Sequence, residues 1–120
     1  MMKKDRSLLL DKSEAFAGRI IKMFQYLSTQ KNEGIISKQI LRSGTSIGAN
    51  ITESRNAQSK ADFIHKLNIA LKEADETLYW LKNLYAGGYL NDKEYESIYN
   101  DADELVKILV SSIKTLKGQQ

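Results

Sequence analysis

The stretch RSGTSIGANITES, residues 42–54, decides how this chain is read. It holds Gly44 and Gly48, several hydroxyl residues, an Arg, an Asn and a Glu. Alone it fits a ligand-binding loop or a helix with a small, polar surface. Its neighbours resolve the choice. Ile36, Ile40, Gly44, Ile47 and Ile51 recur at steps of 4, 4, 3 and 4, which keeps one face of a helix. A helix over about 36–56 is therefore predicted to run through the passage. Beside the apolar face lies a polar stripe of Gln39, Arg42, Ser46, Asn50 and Glu53. The stripe borders the core, so its groups need partners, because a buried polar group left unsatisfied costs about 1–3 kcal/mol. Each glycine costs about 1 kcal/mol against Ala inside a helix. Close approach by a neighbouring helix at Gly44 and Gly48 is the expected compensation. A phosphate-cradling turn is the competing reading, but SGTSIGAN lacks the Gly-Lys-Ser/Thr ending that such a loop needs.

Upstream, DKSE reads as a capping box with Asp11 at the N-cap and Glu14 three residues on. Phe16, Ile20, Met23 and Leu27 then give a first helix over about 12–30, ended by a polar turn around Gly34. Residues 1–10 are expected to be a flexible N-terminal arm. Downstream, NAQS is a turn, and Ser59 caps a third helix over about 60–86 with Asp62 reciprocating. Its stripe is Phe63, Leu67, Ala70, Leu71, Ala74, Leu78, Leu81 and Tyr85. AGGYL ends it, with Gly87 or Gly88 in the left-handed conformation. Asn91 and Glu94 then form a second box, with Leu90 and Tyr95 as a hydrophobic staple. Ile98, Ala102, Leu105, Leu109, Ile113 and Leu116 line a fourth helix over about 92–117. Four amphipathic helices with short turns predict an all-α, antiparallel up-down-up-down four-helix bundle, one domain over residues 11–118. The absence of proline agrees, since an interior Pro costs a helix about 3 kcal/mol.

The third helix carries a second face of Lys66, Ile69, Glu73, Glu76, Trp80 and Leu84. A turn near Gln58 sets Arg42 opposite residues 73–76, so Arg42 is expected to pair with Glu73 or Glu76. That face also suits packing against another subunit, Trp being enriched at interfaces, or it simply extends the intrachain core.

A length of 120 residues suits one domain. With no Cys there is neither a disulfide framework nor thiolate chemistry. The start MMKKDRSLLL has too short an apolar run for a secretory signal, and nothing approaches the ~20 apolar residues of a membrane span. A cytoplasmic protein with no membrane partner is expected. Catalysis has little to draw on. His65 is the single histidine, and Asp62, His65, Glu73 and Glu76 read as a solvated helix surface before they read as a metal site. No enzyme activity, cofactor or metal is expected.

Net charge is +3, unevenly spread: residues 1–60 hold 11 Lys/Arg against 5 Asp/Glu, and residues 61–120 hold 7 against 10. Lys12, Arg19, Lys22 and Tyr26 share one stripe of the first helix, and Lys3, Lys4 and Arg6 lie on the arm before it. Cations interleaved with an aromatic suit phosphate contact and base stacking. The alternative is a solvated face whose long side chains cover apolar surface.

Residues KQILRSGTSIGANITESRNAQSKADFIHKLNIALKEADETLYWLKNL resemble the bacterial four-helix proteins encoded in 23S ribosomal RNA intervening sequences. RSGTSIGAN, SKADF and IALKEA carry the likeness most specifically, which extends over roughly residues 11–117. Related proteins include accessory proteins of diversity-generating retroelements. The resemblance implies a cytoplasmic bundle that assembles as a ring, commonly a homo-pentamer. For the retroelement relatives it also implies binding of RNA or DNA and of a reverse transcriptase through basic surface. The family's recurrent Arg, Ser, Asn and Glu fall on Arg42, Ser46, Asn50 and Glu53. Many members have Pro where Gly48 stands, and a Glu-Gly pair where Glu53 and Ser54 stand, so partner details of that branch transfer poorly. Two functions are thus expected: a non-enzymatic oligomeric scaffold contacting RNA or DNA, or a protein-protein interaction module that binds no nucleic acid.

Overall fold

The computed structural model describes residues 3–118. The passage at residues 42–54 is helical throughout, inside α2 (Ile36–Ser54). The other helices are α1 (Lys3–Gln30), α3 (Lys60–Ala86) and α4 (Asp92–Gly118), and the described residues include no strand. Each helix packs on the next and α1 closes on α4, while the backbones of the diagonal pairs stay apart. The α2–α3 contact is the most extensive and α1–α4 the least. The result is an elongated body of 48 × 22 × 19 Å, with one core of aliphatic side chains and Phe16 along its axis.

The expected arm over residues 1–10 is corrected from Lys3 onward. These residues form the first turns of α1, and Leu9 is fully buried. Asp11 and Glu14 are therefore interior helical residues and the DKSE capping box is not formed. Leu9, Ser13, Phe16 and Ile20 share the buried face at steps of 4, 3 and 4. Ser13 broke the apolar pattern in the sequence. Its hydroxyl donates to Leu10 O at 3.1 Å, so it enters the core without losing a hydrogen bond. Its small size is what the site requires: a Cβ added at Gly48 would lie 3.3 Å from Ser13 Oγ. At Gly44 an added Cβ would come within 2.9 Å of Ile20 Cγ1. The two glycines thus bring α1 and α2 close, which offsets their helix penalty.

Helix ends follow local chemistry. Ser59 Oγ accepts the Asp62 amide at 3.0 Å, while the Asp62 carboxylate takes the amide of Gln58 at 3.2 Å. Asn91 and Glu94 form a reciprocal box, at 2.8 Å and 2.9 Å. At the α3 terminus Gly88 takes the left-handed conformation with φ 82°. Amides of Gly88 and Tyr89 reach Tyr85 O at 3.0 Å and Leu84 O at 2.9 Å, a Schellman ending. The α1–α2 turn lies around Gly34 as expected. Asn32, not Gly34, takes positive φ, at 55°. Glu33 is buried, and its carboxylate accepts the amides of Ser37 at 2.7 Å and Ile35 at 3.3 Å. A negative charge at the start of α2 is favourable to the helix dipole.

The face of α3 is rotated from the predicted stripe. Leu84 is fully buried and Tyr85 exposed, and Ile64 and Thr77 join the interior. Because α3 lies between α2 and α4, its buried face is wider than one apolar row.

Candidate nucleic-acid interface

The polar stripe of α2 divides by reach. Arg42 spans to α3, with Nη1 at 3.2 Å from Glu73 Oε2 and Nη2 on Glu76 Oε2. Both carboxylates named as alternatives are engaged at once. Glu76 Oε2 also accepts Trp80 Nε1–H at 2.9 Å, so one oxygen ties Arg42 to the indole. Trp80 was placed on this face from sequence, but its bond to Glu76 was not anticipated, although the two stand four apart, the spacing at which helical side chains meet. Lys66 reaches Glu53 at 3.5 Å. Ser46 and Asn50 turn back onto their own helix, to Arg42 O at 2.6 Å and Ser46 O at 2.8 Å, and Gln39 is exposed. Beneath the stripe, Thr77 Oγ1 lies 2.9 Å from Ser43 Oγ and 2.8 Å from Glu73 O, wholly buried. A hydroxyl has one proton. Thr77 gives its proton to the Glu73 carbonyl, and Ser43 completes the pair.

The basic stripe of α1 is largely consumed by α4. Lys12 pairs with Glu104. Arg19 pairs with Asp101 at 2.5 Å and also donates to Ser97 Oγ at 3.0 Å. These two cations fasten α1 to α4, while their side chains keep 40% and 43% of their surface. Lys22 remains exposed, and among the described residues it makes no ion pair. Tyr26 is 41% exposed, with Lys31 Nζ 5.9 Å from its ring centroid. Arg19, Lys22 and Tyr26 line a cleft of ≈ 250 Å³ with Leu90, Glu94 and Ile98. Lys3 and Lys4 are exposed on the first turn of α1, while Arg6 packs over the Phe63 ring of α3 with 5.7 Å to the centroid.

Trp80 is half-buried against the core, its ring edge-on to Tyr79 at 5.0 Å, and Tyr79 is 57% exposed. At the α3–α4 turn Tyr85 and Tyr95 stack at 4.2 Å. The Tyr85 hydroxyl donates to Asp92 Oδ1 at 2.5 Å. That bond and the Asp92 charge hold the Tyr85 phenol above its usual range, and burial does the same at Tyr95. Among the described residues no group of three acidic, His or Cys side chains is placed to hold a metal. His65 is exposed, and Asp62, Glu73 and Glu76 are committed to the capping and pairing contacts above. No helix of the described residues is long and apolar enough to cross a membrane.

Four helices around one aliphatic core, tied by polar seams, define an all-α four-helix bundle protein. The model of the 23S rRNA-intervening sequence protein family matches residues 6–111, and the chain belongs to that family. The match begins inside the segment that the sequence reading set aside as an arm. The chain is also similar to the crystal structure of a protein with unknown function from the S23 ribosomal protein family of Bacteroides thetaiotaomicron. The two are 55% identical with a TM-score of 0.90, over 92% of this chain and 98% of that one. No match emerges among curated proteins.

Proposed function

We propose that the chain is a non-enzymatic, self-assembling scaffold in the cytoplasm that contacts RNA or DNA through cations left unpaired by its own fold. The observation that carries this is Lys22 beside Tyr26, together with Lys3 and Lys4 at the start of the same helix, all exposed. Such groups release counterions from a phosphate backbone and offer a ring for base stacking. The helices run up-down-up-down and antiparallel in this reading. In support, Arg42 meets Glu73 and Glu76 while Glu53 meets Lys66, and Lys12 meets Glu104 while Arg19 meets Asp101. Positions rise on one helix as they fall on its partner. The homo-pentameric ring is the assembly the family resemblance implies. Five copies at +3 each would carry about +15, enough for strong salt-dependent attraction.

Titration of a single-stranded RNA at low and raised salt tests the reading. The expected result is steep weakening with salt, by about 0.7 in log–log slope per phosphate contact. A Lys3→Ala, Lys4→Ala, Lys22→Ala variant then binds more weakly and with a shallower slope. Arg19 is a poor probe, because removing it also unfastens α1 from α4. A second reading has its own observation: Tyr79 lies open beside Trp80, an aromatic pair suited to a protein partner. Retained self-association with no RNA binding at low salt favours that interaction module.

A further inference from the structure

One end of the bundle gathers cations that neither seam uses. A cleft of ≈ 380 Å³ opens there, lined by Arg6 of α1, Arg55 after α2, Ser59, Lys60 and Phe63 at the start of α3, and Leu116 of α4. All four helices meet at this point, and among the described residues no carboxylate lines the cleft. Among the described residues, Arg6, Arg55 and Lys60 make no ion pair. Three like charges around one hollow repel each other, and an anion between them relieves that repulsion.

The nearby acids are held elsewhere. Asp62 accepts the Gln58 amide, and Glu53 faces Lys66. Arg6 is fixed by its stacking over Phe63, and its Nε is buried with no hydrogen-bond acceptor among the described residues. That N–H is sealed from solvent and so from the cleft; what Arg6 offers an anion there is its charge and the rest of its guanidinium. The first turn of α3 adds to this. The Ser59 side chain serves Asp62, and the Phe63 amide bonds Ser59 O at 3.0 Å. The amides of Lys60 and Ala61, by their position in the turn, precede the first residue with a helical acceptor.

We propose that this cleft is a phosphate-binding site built from Arg6, Arg55, Lys60 and the N-terminus of α3. The proposal deepens the nucleic-acid reading and rests on it for the source of the phosphate, a backbone phosphodiester; free phosphate shares the chemistry. The test has two arms on the full chain. One titrates a short single-stranded RNA at about 50 and about 200 mM salt. The other titrates inorganic phosphate while following the Arg6 Nε–H and the Lys60 and Ala61 amides by NMR. The variant is Arg55→Ala with Lys60→Ala, both exposed positions. Arg55→Gln with Lys60→Gln replaces it if melting shows a fold change.

The expected result is about tenfold weaker RNA binding in the variant, with a salt slope shallower by about 1.4, two contacts at about 0.7 each. Phosphate shifts of the cleft signals that saturate in the wild type and vanish in the variant, without RNA binding, assign the site to free phosphate and sink the nucleic-acid reading alone. RNA binding unchanged in the variant, together with unmoved cleft signals, sinks the site and leaves that reading standing. Neither RNA binding nor phosphate shifts in the wild type overturns both.

Discussion

The α2–α3 seam and the α1–α4 seam both join helices through arginine and carboxylate, yet they are built differently. Between α2 and α3, Arg42 is shared by two carboxylates, one of which also holds the Trp80 indole, over a buried Ser43–Thr77 pair. Glu73 keeps 20% and Glu76 35% of its side-chain surface, although Arg42 itself keeps 51%, so the seams differ in their acids and not in their cations. Between α1 and α4, Arg19 and Lys12 meet single acids, and Asp101 and Glu104 keep 47% and 49%. Partial burial strengthens an ion pair's field and fixes its geometry, whereas an open pair is screened and entropically loose. The same residue types therefore define register on one side of the bundle and act as light fasteners on the other.

Loose ion pairs on α1 do not make the whole helix loose. Leu9 is fully buried near the start of α1. Leu9→Ala is expected to destabilise the chain by about 2–4 kcal/mol, the range for a buried leucine truncated to a cavity. Chemical denaturation measures it. A loss below about 1 kcal/mol would return residues 3–10 to a weakly docked segment and make the whole α1 side the soft half of the molecule.

This point also marks where the sequence was legible and where it was not. The α2 helix could be read because isoleucines hold the register through both glycines. Arg42 could be matched to Glu73 and Glu76 because polar stripes beside an apolar face have few places to go. The start of α1 was lost for a physical reason. Ser13 occupies a core position where only a small side chain fits against Gly48, so the apolar period stops at a point of close helix packing. Asp11 and Glu14 then imitated a cap. The Glu33 cap was hidden because the capping acid lies ahead of Ile35, the residue at the N-cap, and acts from outside the usual position. The α1 stripe was placed on the right helix, but a wheel of one helix cannot show that Asp101 and Glu104 face it from α4.

The buried Ser43–Thr77 pair contributes less than the core leucine. Thr77→Val removes the hydroxyl that links Ser43 to the Glu73 carbonyl and leaves the Ser43 hydroxyl in the core without its partner. The expected loss is about 1–2 kcal/mol. Replacing both partners, Ser43→Ala with Thr77→Val, leaves no orphan. The double variant is expected to be more stable than Thr77→Val alone, since removing both partners of a buried bond is nearly neutral. If the double variant is the less stable of the two, the pair contributes as packing volume and not as a hydrogen bond.

The smallest effect compares the two seams directly. Double-mutant cycles isolate the coupling of Arg42 with Glu76 and of Arg19 with Asp101, each truncated to Ala. Both pairs retain solvent contact, so neither coupling should exceed about 1 kcal/mol. For Arg42 with Glu76 about 0.5–1 kcal/mol is expected, because the carboxylate is oriented by the Trp80 indole before the arginine arrives. About 0.2–0.5 kcal/mol is expected for Arg19 with Asp101, where both partners are nearly half exposed. Salt separates them further. Raising ionic strength to about 1 M shortens the screening length to about 3 Å, which should erase the Arg19 coupling and leave part of the Arg42 one. Equal couplings with equal salt sensitivity would mean that the shared carboxylate and the indole add no order, and that the two seams differ only in how much apolar surface lies beneath them.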